Sequence, residues 1–229
     1  DTYTAQLAGL LAALRPGQRF EVINAGVSGY GTWQEAVWLE QLAAEAEPDL
    51  VVLQVHLNDA ADNLWGMSQQ AEGGDSWLAR HSALAQLVQR LALARRLQGS
   101  AGGACQRAWN DGQQRVCWER TEELLAGMEK TASARGAPLV LLLSPMRWQV
   151  EPGVKDPRAW VDAARYQAEL ASFARQQNLP LVDPLPAFRS AFTATFQPLF
   201  LDVGHPNEAG QRIMAQELYG FLAQAGLLP

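Results

Sequence analysis

Asp202-Val203-Gly204-His205 places a carboxylate three residues before an imidazole, just ahead of a helical pattern at the C-terminal end. On a turn, that spacing lets the carboxylate accept the Nδ1 proton and leaves Nε2 free to draw a proton from a hydroxyl. Such a pair supplies the acid–base part of a serine-hydrolase site. It still needs a nucleophile and donors for the oxyanion that forms when an ester carbonyl is attacked.

Two positions have the right chemistry for donors. The run Arg19 to Asn24 leads into Ala25-Gly26-Val27-Ser28-Gly29-Tyr30-Gly31, where the backbone N–H of Gly26 can face developing charge. The same glycines also suit a purely structural turn. Gly26-x-x-Gly29-x-Gly31 is not the dinucleotide spacing, and no acid ends the next strand where a ribose partner belongs. The second position is Asn58 in His56-Leu57-Asn58-Asp59, whose side-chain amide can donate, or can simply close an Asx-turn at a strand end. His56 reads as a satisfied, half-buried histidine rather than a base or a ligand.

No serine fits the nucleophile role well. Ser76 stands in Gly74-Asp75-Ser76, but the polar stretch Ser68 to Glu72 before it is not a buried strand able to aim a serine. Ser28 lies in Gly26-Val27-Ser28-Gly29-Tyr30, where Tyr30 takes the last glycine position of a nucleophile elbow and would obstruct the strained turn. Ser144 precedes Pro145 and reads as a hydrogen-bonding residue that ends a strand. Ser28 and Ser76 remain weak candidates.

Positioning such groups takes a sheet edge. Short apolar, β-branched runs alternate with longer helical patterns, the signature of a parallel α/β sheet. Strands are expected at Arg19 to Asn24, Asp49 to Val55, Pro138 to Ser144 and Leu179 to Asp183. Their carboxyl ends face the ligand crevice of an open parallel sheet, so Asn24, Asn58, Ser144 and Asp183 share one edge. Thr32-Trp33-Gln34-Glu35 reads as a capping box opening a helix to about Ala46. Asp156-Pro157 opens another that Asn178 closes, Leu84 to Leu91 keep helical spacing, and Glu119 to Ala134 form a helix ending before Gly136. The last helix runs from about Asn207 to Ala223 and buries Ile213, Met214, Leu218 and Leu222.

With 229 residues, 48% of them hydrophobic, the chain can bury roughly 70 to 75% of its unfolded surface in one α/β domain spanning 1–229, with 64–118 as an insertion. A net charge of -6, from 18 basic and 24 acidic residues without a basic cluster beyond Arg95-Arg96, argues against nucleic acid and polybasic membrane contacts. No apolar run reaches the ~18 residues of a membrane span, and Asp1-Thr2-Tyr3 lacks the features of a signal peptide. Cys105 and Cys117 could clip a hairpin, adding about 3 kcal/mol in an oxidising compartment, which leans toward export; two unpaired thiols are the alternative. No Cys or His cluster has zinc-ligand spacing.

The order of these pieces resembles the SGNH (GDSL-like) hydrolases. Asn24 to Thr32 looks like the second conserved block of that family. Pro48 to Leu53 leading to Asn58-Asp59, then Asp62-Asn63, looks like the third, and Leu201 to Gly210 looks like the fifth. The resemblance implies a three-layer α/β/α flavodoxin-like fold, strand order 2-1-3-4-5, and cofactor-free ester hydrolysis through an acyl-enzyme. It makes His205 the general base, Asp202 its orienter, and Gly26 and Asn58 the oxyanion donors. His56 stands where the third block has glycine, which narrows the pocket beside Asn58. The first block, a buried central strand followed by Gly-Asp-Ser, is expected upstream of Asp1, between the strands ending at Asn24 and Val55.

Three functions follow as expectations. The leading one is hydrolysis of a small-molecule or saccharide ester by a serine enzyme whose nucleophile lies upstream of residue 1. The second is acyl transfer to, or deacetylation of, a saccharide, with Trp65, Trp77, Trp109, Trp118, Trp148 and Trp160 available to stack on sugar rings. The third is a non-catalytic relative that keeps Asp202 and His205 without the serine.

Overall fold

A computed structural model describes residues 2–56, 115–154 and 163–228. By its internal contacts the chain divides into two compact units: Asp1–Gly29, Ala46–Leu57 and Glu129–Pro229 form one, and Tyr30–Glu45 with Asn58–Met128 form the other. The expected insertion at 64–118, the helix at Leu84 to Leu91, and the Asp156-Pro157 helix start lie wholly or largely outside the described residues, as does Cys105.

The first unit carries the sheet. Strands β1 (Val51–Val55), β2 (Leu139–Leu143) and β3 (Leu181–Val182) run parallel in that order, with Val51 opposite Leu139 and Leu141 opposite Leu181. The sequence of β2, Leu-Val-Leu-Leu-Leu, is apolar without alternation because both of its faces are covered, as in helix-flanked parallel sheets. Val140 and Leu142 enter one core with Leu7, Leu11, Val182, Phe188, Met214, Leu218 and Leu222, and Leu139, Leu141 and Leu143 are equally buried on the other face. The sequence therefore anticipates three of the four expected strands.

The fourth, Arg19 to Asn24, is not a strand. Its burial still alternates: Phe20 and Val22 pack against the core while Arg19, Glu21, Ile23 and Asn24 are exposed. The period-2 pattern is real, but a strand needs a ladder, and among the described strands β1 pairs only with β2. The pattern is set by one-sided packing, and among the described strands the run has no partner.

Helices supply the cover. In the sheet-bearing unit, α1 (Tyr3–Leu14) packs along the C-terminal helix, buries Leu7 and Leu11, and is capped by Thr2, whose hydroxyl accepts the Ala5 N–H. Helix α2 (Thr32–Ala46) starts as expected, but its reciprocal cap is one residue early: Gln34 Oε1 accepts the Gly31 N–H at 3.0 Å. Thr32 is thus already helical, and among the described residues its hydroxyl has no partner. Helix α3 (Arg115–Ser133) ends at Gly136, whose φ of 76° is a glycine conformation. A short turn, α4 (Arg147–Val150), follows β2, and α5 (Ala163–Gln177) closes on Asn178 at φ 55°, the left-handed residue its sequence suggests. Helices α6 (Leu185–Thr195) and α7 (Glu208–Gln224) complete the unit, and α7 buries Met214, Leu218 and Leu222 as its spacing dictates. Among the described residues no helix is long and apolar enough to cross a membrane.

Candidate active site

The turn between α6 and α7 brings Asp202 and His205 together, and its geometry follows from local chemistry. Phe200 and Pro206 form an isolated antiparallel bridge, and the Leu201 N–H donates to the His205 carbonyl at 2.8 Å. The loop between them must therefore reverse within a few residues. Asp202 fits that reversal: its Oδ1 accepts the N–H groups of both Gly204 and His205 at 2.9 Å, an Asx-type closure. The other oxygen, Oδ2, lies 2.7 Å from His205 Nδ1. Two residues later Asn207 caps α7, its Oδ1 accepting the Gly210 N–H and its Nδ2 donating to the Pro198 carbonyl.

These contacts set the charge states. The Gly204 N–H bond, with further help from His205, holds Asp202 down to about 2, so it is a carboxylate at any neutral pH. A carboxylate at Nδ1 fixes the tautomer in which Nδ1 carries the proton and Nε2 presents a lone pair. The His205 side chain is 74% exposed and that of Asp202 54%, so the pair opens outward.

A second histidine stands near it. His56 follows β1, and its Nε2 lies 2.9 Å from the Gln54 amide nitrogen, which also donates to Ser144 Oγ at 3.3 Å. An amide NH₂ only donates, so Nε2 of His56 is the acceptor. Burial pushes His56 down to about 4, and the charge of His205 pushes the same way, which places the two imidazoles within electrostatic reach. Ser144 is fully buried, and its N–H donates to the Val55 carbonyl. It ends its strand by hydrogen bonding, as its place before Pro145 suggests.

Among the described residues, Gly26 and Ser28 make no hydrogen bond with this pair. Gly26 is exposed, and its N–H donates to Asn24 Oδ1 at 3.2 Å, so that donor is engaged by a side chain two residues away. Ser28 is an exposed turn residue beside Gly29. Asn58 and Ser76 lie outside the described residues. Asp183 follows β3, and its Oδ1 accepts the N–H of Leu185, the first residue of α6, at 3.0 Å. The sequence gives no sign of the Met146 and Arg147 contacts to this turn: the Arg147 N–H donates to the Val203 carbonyl at 3.0 Å, and the Met146 side chain borders Gly204. Only the apolar strand ending at Ser144-Pro145 hints that this loop belongs at the same sheet edge.

Solved structures share this fold. An acetyl xylan esterase, AlAXEase, aligns over 96% of this chain and 89% of its own with 16% identity and a TM-score of 0.61. The acetylxylan esterase Axe2 from Geobacillus stearothermophilus aligns over 99% and 81% with 19% identity and a TM-score of 0.60. LAE5, an alpha/beta hydrolase enzyme from the metagenome of Lake Arreo, Spain, aligns over 100% and 83% with 21% identity and a TM-score of 0.57. Among the Axe2 structures are catalytic mutants in a serine near the start of its numbering, in an aspartate, and in a histidine three positions after that aspartate. No curated protein sequence matches the chain. A family model for GDSL-like lipases and acylhydrolases matches residues 1–213, nearly the whole sequence. With the parallel sheet and its flanking helices in place, the chain belongs to the GDSL-like lipase/acylhydrolase family.

Proposed function

We propose that this chain carries the acid–base half of a serine esterase acting on small-molecule or saccharide esters, with the nucleophilic serine contributed from sequence upstream of residue 1. The observation that carries the reading is the 2.7 Å contact between His205 Nδ1 and Asp202 Oδ2, made by a carboxylate whose other oxygen two backbone N–H groups hold in place. An imidazole fixed in this tautomer has Nε2 available to accept a hydroxyl proton.

In this reading His205 removes the serine proton as the hydroxyl oxygen attacks the ester carbonyl. The tetrahedral oxyanion is received by N–H donors, for which Gly26 and Asn58 are the proposed groups. For Gly26 that requires the N–H to leave Asn24 Oδ1. Collapse expels the alcohol, which takes the proton from His205 and leaves an acyl-enzyme; water, activated by the same histidine, releases the acid. Asp202 stays ionised throughout and stabilises the imidazolium.

Two observations support an upstream nucleophile. Among the described residues no serine hydroxyl is hydrogen-bonded to His205. The strand-like run Phe20 to Val22 and the β1 edge away from β2 also lack a paired neighbour among the described strands. A saccharide ester is favoured over other esters by the acetylxylan esterases that share the fold. The same relatives favour deacetylation within the second reading, acyl transfer or deacetylation on a saccharide.

The test is to produce the protein together with its upstream coding sequence and assay a short acyl ester and an acetylated xylooligosaccharide, with and without an acceptor sugar. Free acid as product, lost in His205→Ala, is the expected result. An acylated acceptor would point to transfer. Ester cleavage that survives His205→Ala, or none in the extended protein, would overturn the reading.

A further inference from the structure

The exposed Asp202–His205 turn needs support from below, and the loop after β2 provides it. Met146, only 4% exposed, lies against Gly204: a Cβ built on that glycine would stand 3.4 Å from Met146 Cε and 3.5 Å from Sδ. One residue on, the Arg147 N–H donates to the Val203 carbonyl at 3.0 Å. Both middle residues of Asp-Val-Gly-His are thus touched by consecutive residues of one loop.

That loop is itself tied down. Gln149 Oε1 accepts the Met146 N–H at 2.8 Å, and the Gln149 amide nitrogen donates to Gln167 Oε1 at 2.9 Å. Arg189 Nε donates to the Gln149 carbonyl at 2.8 Å, Arg147 Nε pairs with Glu151 Oε2 at 2.8 Å, and Val150 is buried in the core. The support is therefore stiff in its backbone and soft only at one point, the unbranched Met146 side chain.

We propose that Met146 is a positioning residue for the hydrolytic reaction: by filling the space beneath Gly204 it fixes the height of the 202–205 turn and so the aim of His205. The proposal rests on Asp202 and His205 being the acid–base pair. Gly204 has no side chain of its own to resist a shift, and its N–H is one of the two that hold Asp202 Oδ1. A gap under Gly204 therefore loosens the carboxylate and the imidazole together. Misplacing reacting groups by about 1 Å is enough for roughly a hundredfold loss of rate.

The experiment compares wild type, Met146→Ala, Met146→Leu and Gly204→Ala in the protein with its upstream sequence. It reads kcat and KM on a short acyl ester, thermal midpoint, and the proton NMR signal of His205 Nδ1–H. Met146→Ala is expected to lower kcat roughly ten- to hundredfold, leave KM within about twofold, and shift or broaden the Nδ1–H signal. Met146→Leu, which refills most of the space, is expected to restore both. Gly204→Ala adds a methyl at ordinary contact distance from the Met146 end, 3.4 Å from Cε and 3.5 Å from Sδ, so kcat, signal and midpoint near wild type are expected; in one further variant that combines it with Met146→Ala, the methyl refills part of the gap, and a partial return of kcat and signal is expected. Wild-type kcat and signal in Met146→Ala would overturn the proposal, as would losses that merely follow the thermal midpoint or that neither Met146→Leu nor the double variant reverses. If wild type proves inactive, the esterase reading fails by itself, and the Nδ1–H signal still decides whether Met146 positions the pair.

Discussion

Asp202 holds His205 twice, once through the backbone N–H at 2.9 Å to Oδ1 and once through Nδ1 at 2.7 Å to Oδ2. One side chain therefore sets both the main-chain position of the histidine and the orientation of its ring. Asp202→Asn separates these duties. An asparagine Oδ1 can still accept the two backbone N–H groups, but its NH₂ facing Nδ1 reverses the tautomer. Ester hydrolysis is expected to fall by a factor on the order of 10³ to 10⁴ with little change in stability, read from kcat/KM and a thermal midpoint on the same preparation. Retention of near-wild-type rates would show that the carboxylate does not orient the base.

His56 makes stability depend on pH. Its folded value near 4 lies below the ordinary 6.5, so between those limits the unfolded chain takes up a proton that the folded chain refuses. The contribution of His56 to stability is expected to rise with pH from about 4 to about 6.5 and level off above. His56→Gln should flatten that rise by something on the order of 1–3 kcal/mol, allowing for the part of the ring that water reaches. Denaturant midpoints at acid and neutral pH check it; an unchanged slope in the variant would contradict the burial of a neutral imidazole.

Glu35 has the opposite sign. Its Oε2 is buried in the first turns of α2 without a hydrogen-bond partner among the described residues, and burial pushes the carboxyl up to about 7 from an ordinary 4.5. In that interval the folded state keeps a proton the unfolded state has lost, so the contribution of Glu35 to stability is expected to fall as pH rises from about 4.5 through 7, offsetting much of the His56 rise in the wild type. Glu35→Gln should remove this decline and stabilise the protein above pH 7 by on the order of 3 kcal/mol. Thermal midpoints of variant and wild type should converge near pH 4.5; parallel curves would contradict it.

Gly210 is a glycine for want of room. A Cβ there would overlap the Leu199 carbonyl oxygen, approach Pro206 Cβ to 2.8 Å and Phe188 Cε1 to 3.1 Å. Helix α7 thus meets the segment at Leu199 backbone to backbone, one turn after the cap that follows His205. Gly210→Ala is expected to cost about 1–3 kcal/mol by overpacking, measured by denaturant unfolding, and to reduce activity by displacing the turn. A neutral effect would mean that the close approach relaxes freely.

Much of this was legible in the sequence where one interaction governs a residue. The apolar run of β2, the closure of α5 at Asn178, the start of α7 near Asn207 and the Asp202–His205 contact are each determined within a few neighbours, so spacing alone exposes them. Arg19 to Asn24 misleads because alternation reports one-sided packing, whereas a strand also requires a partner for its backbone. The α2 cap shifts by one residue because Gln34 reaches the Gly31 N–H while Thr32 turns inward. Met146 and Gln54 were invisible as site neighbours: their roles come from contacts across 58 and 90 positions, with Gly204 and Ser144.

The most direct measurement is covalent labelling of the protein with its upstream sequence by a fluorophosphonate, which marks only a serine activated by a neighbouring base, followed by peptide mass spectrometry. One labelled serine upstream of Asp1, with labelling abolished by His205→Ala, is the expected result. Labelling at Ser28 or Ser76, or labelling that persists in His205→Ala, would contradict the assignment of Asp202 and His205 as the acid–base pair of an upstream nucleophile.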